Sequence, residues 1–154
     1  MTRHYRIDLT EGNLEALRYI EEHLRPIDRK ECRAVDEPVF YSVAMSDYAF
    51  VVHVDDTPCG VFGLVTHYQT LADGGLSEYI AVPWLLGTPD LTRYPREFMQ
   101  LSRRWVDAFI GITHENIMWN LCLRENMKAR SWLSHLGFEF PEDEELPEWI
   151  GFYL

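Results

Sequence analysis

A short block near the end of the chain, Asn126-Met127-Lys128-Ala129-Arg130-Ser131-Trp132-Leu133-Ser134-His135-Leu136-Gly137-Phe138, limits the possible folds more than any other stretch. Ala129, Trp132, Leu133 and Leu136 fall at i, i+3, i+4 and i+7, the spacing that gathers apolar side chains on one side of a helix. Asn126 is placed to cap the first turn with its side-chain oxygen. Gly137 is placed to end the helix in the left-handed conformation, after which Phe138 starts a new extended run. Ahead of the block, Ile117 to Leu123 is a nearly continuous apolar run, suited to a strand covered on both faces. The end of the chain therefore reads as strand, capped helix, Gly-Phe, strand.

Upstream, Tyr5 to Leu9 alternates as a short strand, and Thr10-Glu11-Gly12-Asn13 offers capping side chains to a helix presenting Leu14, Leu17, Ile20 and Leu24. Pro26 interrupts that helix. Further helical stretches are predicted over Asp28 to Val35 and Glu37 to Met45, the latter with Pro38 in its first turn. Tyr48 to Val54 and Cys59 to His67 read as a hairpin around Asp55-Asp56-Thr57-Pro58. Ala72-Asp73-Gly74-Gly75 predicts another reversal, followed by a strand from Leu76 to about Trp84. A long helix from Pro95 to about Ile110 aligns Phe98, Leu101, Trp105 and Phe109. The crossover through this helix should leave the Leu76 and Ile117 strands parallel and adjacent. With 154 residues, 47% of them hydrophobic, residues 1–154 are expected to form one α/β domain.

A formal net charge of -11 argues against nucleic acid and anionic membranes as partners. Arg93, Arg96, Arg103 and Arg104 fall on the long helix and read as a solvated face. Much of the acid lies in Pro141 to Glu148, which reads as an exposed loop between strands. Cys32, Cys59 and Cys122 are odd in number, widely spaced and in apolar contexts, as free buried thiols in a reducing compartment would be. The chain shows neither an apolar signal core near Arg3 nor a stretch of about 20 apolar residues. The expected location is the cytoplasm.

The order of elements, with Asn, Ala, an aromatic or leucine and then Leu-Gly-Phe in the final block, resembles the GNAT superfamily of acyl-CoA-dependent N-acetyltransferases. The resemblance implies a mixed, mostly antiparallel twisted sheet flanked by helices. It also implies a splayed parallel strand pair whose V-shaped gap admits the pantetheine arm of acetyl-CoA. The family binds diphosphate in a turn of the form Gln or Arg-x-x-Gly-x-Gly or Ala, where close-packed N–H groups and a helix N-terminus cradle the phosphates. Here the matching place reads Trp84-Leu85-Leu86-Gly87-Thr88-Pro89-Asp90-Leu91-Thr92-Arg93-Tyr94-Pro95. Pro89 and Pro95 remove two donors, and Asp90 brings negative charge. Gly87, Arg93, Arg96 and Asn126 are the positions left for a cofactor. The family's usual general acid, a tyrosine four residues before the glycine of the Gly-Phe pair, falls on Leu133. Glu78 is the remaining candidate base, with His53 and His67 beside it; a strand carboxylate turned to solvent and hydrogen-bonded structural histidines are the competing readings.

Other chemistries lack their residues. His114-Glu115 has no second histidine at zinc-protease spacing, no cysteine pair has zinc spacing, and there is no Gly-x-Ser-x-Gly or Gly-Lys-Ser; no metal site is expected. Trp105, Phe109 and Trp132 fall on core-facing stripes. Trp84, Tyr94 and Trp149, beside loops or termini, are the candidate interface aromatics.

A narrower likeness rests on Asp28-Arg29-Lys30-Glu31-Cys32, Thr57-Pro58-Cys59-Gly60-Val61-Phe62-Gly63, Trp84-Leu85-Leu86-Gly87, the Arg-rich helix from Phe98, and Trp119-Asn120 before the Asn126 block. In this order they resemble the GNAT-like internal virion proteins of short-tailed, podovirus-type phages. That resemblance implies a role in particle assembly or genome delivery, in the host cytoplasm or the virion interior, through virion protein partners or self-association, and with no cofactor. The other reading is an active N-acetyltransferase using acetyl-CoA at a remodelled site.

Overall fold

The computed structural model describes residues 3–68, 79–113, 118–141 and 147–154. The elements run β1 (Tyr5–Leu9), α1 (Leu14–Glu22), α2 (Pro26–Glu31), α3 (Pro38–Met45), β2 (Tyr48–Val54), β3 (Thr57–Tyr68), β4 (Tyr79–Gly87), a 3-10 turn (Pro89–Thr92), α4 (Pro95–Thr113), β5 (Trp119–Leu123), α5 (Met127–His135) and β6 (Trp149–Tyr153). β1 to β4 form a sheet in that order, and β5 and β6 form a second pair. Contacts group the chain into two compact units, one of residues 1–64 and 84–102, the other of 65–83 and 103–154.

In the first unit, β1 and β2 pair antiparallel with Tyr5 opposite Val54, and β2 pairs antiparallel with β3. The β2–β3 turn is only Asp55 and Asp56, at φ 48° and 65°. Both positive values match the twist of a tight hairpin, which glycine or asparagine normally supplies. Asp56 is tied to Arg6 at 2.9 Å, and Asp55 to His4 at 2.9 Å and to Arg93 at 3.2 Å. Leu17, Ile20 and Leu24 bury against Val39, Val51, Val61 and Leu86. Leu14 does not join them and is 68% exposed; Ala16 completes the apolar side instead. α1 also stops before the expected point, capped at His23, so Pro26 opens the next helix rather than interrupting this one. Asn13 stands at the N-cap, but its amide donates back to the Leu9 carbonyl at 2.6 Å and leaves the helix N–H groups alone.

In the second unit, β5 and β6 are antiparallel with Trp119 opposite Tyr153. Asn126 Oδ1 accepts from Ala129 N and Gly137 has φ +97°, so both ends of α5 form as the side chains predict. Leu133 is buried, while Ala129, Trp132 and Leu136 are half-buried. β4 and β5 meet through a parallel bridge, Ala81 to Met118. The expected reversal at Ala72 to Gly75, the first residues of the Leu76 strand and the part of the acidic segment from Glu142 to Leu146 lie outside the described residues. No described helix is long and apolar enough to cross a membrane.

Candidate functional site

The turn after β4 decides what this fold can hold. β4 runs to Gly87, past the expected end at about Trp84, and Leu91 packs onto its last residue: a Cβ on Gly87 would stand 2.5 Å from Leu91 Cδ2. Leu91 is fully buried. This collapse turns the backbone donors of the turn inward. Gly87 N donates to Asp28 Oδ2 at 2.9 Å, Thr88 N to Cys59 O at 2.9 Å, and Asp90 N to Thr88 Oγ1 at 3.2 Å. Leu91 N donates to Thr88 O and Arg93 N to Asp90 O, both at 3.1 Å. Tyr94 N donates to the Tyr5 hydroxyl at 3.2 Å.

Asp28 is central to this arrangement. Only 4% exposed, it receives Arg25 Nε at 2.8 Å and Nη2 at 3.1 Å as well as the Gly87 N–H. The chain's own carboxylate thus occupies a donor that an anion-binding turn would offer a phosphate. The sequence pattern places Asp28 at the start of a helix and of the Asp28 to Cys32 motif. An acid in the first turn after a proline is ordinary helix chemistry, and nothing local announces a partner in β4.

Of the two cationic candidates, Arg93 is also engaged. Arg93 bridges Asp90 at 3.0 Å and Asp55 at 3.2 Å. Arg96 is exposed on the first turn of α4. Asp55, held below the usual carboxylate range chiefly by the Tyr94 hydroxyl with help from His4 and Arg93, accepts from Tyr94 at 2.7 Å. Tyr94 stacks on the His4 ring at a centroid distance of 3.9 Å. It is therefore committed on both its face and its hydroxyl. Trp84, a candidate interface aromatic, is half-buried: its indole packs against the first unit's core, donates to Ser46 Oγ at 2.6 Å, and covers Gly63, where a Cβ would stand 2.7 Å from the ring. Trp149 is half-buried in β6.

The acid position is Leu133, buried and without a transferable proton. Glu78 lies outside the described residues. His53 is buried in β2 with Nδ1 3.2 Å from Asp8 Oδ2, and burial lowers its pKa, which fits a structural role. In the second unit, Asn126 serves as the α5 cap, and Asn120 Nδ2 donates to Pro83 O at 2.8 Å, a side-chain link between β5 and β4. Burial pushes the thiols of Cys32 and Cys59 up to about 11 and about 12, which leaves them protonated and unreactive at neutral pH. Among the described residues, no cluster of three or more His, Cys, Asp or Glu side chains is placed to hold a metal ion.

Comparison with protein-family models and with curated protein sequences finds no match. By structure, the fold is that of the GNAT N-acetyltransferases, a mixed α/β fold with an antiparallel sheet flanked by helices. The N-acetyltransferase PseH of Campylobacter jejuni is similar over 99% of this chain and 98% of its own, at 16% identity and a TM-score of 0.60, and has also been solved with acetyl coenzyme A. A Bacillus subtilis acetyltransferase in complex with CoA matches over 97% of each chain, at 12% identity and a TM-score of 0.65. The GNAT domain of S. lividans PAT matches over 97% of this chain and 88% of its own, at 8% identity and a TM-score of 0.66. Set against a CoA diphosphate, this turn fits the group poorly: the N–H groups of Gly87, Thr88, Asp90, Leu91, Arg93 and Tyr94 are spent internally, and Arg93 is paired with two carboxylates.

Proposed function

We propose that this chain is a GNAT-fold protein without acetyl-transfer activity, acting through protein contacts in the assembly of a phage particle or in delivery of its genome. The observation that carries the reading is the Gly87 N–H, which donates to the buried carboxylate of Asp28. A diphosphate would have to displace a charge already paired with Arg25, and would then meet Asp90 and two prolines where the family has donors. Leu133 at the acid position supports the same reading, since a departing thiolate would find no proton there. The phage assignment, the host-cytoplasm or virion location and the protein partners rest on the likeness to internal virion proteins. Calorimetric titration with acetyl-CoA tests the loss of cofactor binding: the expected constant is weaker than about 1 mM. A low-micromolar constant, with diphosphate seated beside Gly87 to Pro95, overturns it. Copurification with particles from infected cells tests the phage assignment, and absence from every assembly stage removes it.

One observation favours an active acetyltransferase as the second reading: CoA and acetyl coenzyme A appear in structures of proteins sharing this fold. Under that reading Glu78 is the base, and Arg93 and Arg96 hold the phosphates. Changing both arginines to Ala then weakens cofactor binding more than changing Arg29 and Arg33.

A further inference from the structure

The β5–β6 pair has two different faces, one buried and one turned outward. On one face Phe152 packs against Phe138 and Phe140, with ring centroids 5.3 and 6.1 Å apart, and the Arg130 guanidinium lies 5.7 Å from the centre of the Phe140 ring. On the other face stand Trp119 and Tyr153, cross-strand neighbours that are 37% and 39% exposed. Glu139, bridged to Tyr153 through the backbone, lies on the same side, and its Oε2 accepts the Tyr153 hydroxyl at 2.7 Å. The next position along β6 on this face is Gly151, which opposes Leu121 and carries no side chain.

We propose that Trp119, Tyr153 and Glu139 form a docking site for an arginine or lysine side chain of a basic protein partner. An indole face is the best aromatic surface for a cation, a guanidinium stacks on it as a plane, and the Glu139 carboxylate, on the far side of Tyr153, supplies the opposite charge. The reverse face of the same strands already makes one such contact, Arg130 on Phe140. A second copy of this chain is a poor occupant, because each copy carries a net charge of -11 and approach of like charge is repulsive. Nucleic acid is disfavoured for the same reason. Exposed tryptophan and tyrosine are the side chains that most often anchor protein interfaces. The site deepens the proposed function, since it names where a partner binds, and so it rests on that reading.

The test uses the full-length, nitrogen-labelled chain and follows the indole signals of its five tryptophans by NMR at low salt. The probe is a capped alanine peptide with one central arginine; the control carries citrulline, its neutral counterpart. The expected result is a saturable shift of the Trp119 indole, assigned through Trp119→Phe, with the arginine peptide. Citrulline, and separately Glu139→Gln, should each weaken the response about fivefold. Equal response to both peptides, a Trp119 indole that does not move, or a Glu139→Gln protein that binds as well as the parent overturns the proposal. The citrulline comparison leaves the protein unaltered, so the proposal stays falsifiable even where a variant fails to fold. Acetyl-CoA titrated into the same sample separates the two readings: tight cofactor binding removes the non-catalytic reading, and an unresponsive Trp119 removes the docking site.

Discussion

Asp28→Ala removes three hydrogen bonds at one buried point: one from Gly87 N at 2.9 Å and two from Arg25 at 2.8 and 3.1 Å. Gly87 is buried, so its N–H is left without an acceptor, a loss of about 1–3 kcal/mol. Arg25 keeps 27% of its side chain in solvent, so its separation from the carboxylate adds only about 1 kcal/mol. The expected destabilisation is therefore about 3 kcal/mol, which for a chain of this size lowers Tm by about 6–12 °C. Asp28→Asn retains one acceptor for Gly87 and should lose about half as much. Urea titration, read at unchanged slope, gives the free-energy difference, and calorimetry gives the Tm. A loss below about 0.5 kcal/mol for Asp28→Ala would refute the claim that this carboxylate holds the turn. Acetyl-CoA binding should not appear in the variant, because the N–H groups of Thr88, Asp90, Leu91, Arg93 and Tyr94 remain engaged.

Asn120→Leu should destabilise by about 1–3 kcal/mol, since it removes the link to Pro83 O and the acceptor of Leu121 N; an unchanged Tm would show that the amide has another role. Burial raises the pKa of Glu21, whose Oε1 accepts Val39 N. The folded state then holds the proton longer than the unfolded state, so Glu21 makes stability fall as pH rises from about 4.5 through the raised value, and Glu21→Gln should flatten that part of a urea-measured pH profile. His53 has the opposite sign. Its folded pKa is lowered, so the unfolded chain takes up a proton first and stability drops as pH falls below about 6.5; His53→Gln should remove that component.

What could be read from the sequence was local. The Asn126 cap and the left-handed Gly137 involve neighbours within a turn or two, and both formed as their side chains dictate. The stripe on α4 shows the same: Phe98, Leu101, Trp105 and Phe109 are all buried, because helical spacing alone brings them to one side. What a distant residue decides is not legible in the sequence. Trp84 sits beside a loop in sequence, yet Gly63 leaves room for its ring and Ser46 offers an acceptor. β4 outruns its expected end and pairs with β3 as far as Gly87, where Leu91 covers the glycine. Pro89, Asp90 and Pro95 revealed an altered phosphate turn, but they could not show that Asp28, Cys59 and Tyr5 take up its donors.

The turn of paired aspartates between β2 and β3 bears on the order in which the molecule assembles. A two-residue hairpin turn usually forms early, since it needs only its own residues. Here both residues take positive φ without the freedom of glycine, and two negative side chains are brought next to each other. The cations that neutralise them, Arg6 and Arg93, come from β1 and from the turn before α4. Until those segments arrive, the loop resists closing, so the hairpin depends on contacts remote in sequence and its formation moves late in folding. Added salt, by screening the two carboxylates in the open chain, should speed refolding even where it leaves the native stability almost unchanged.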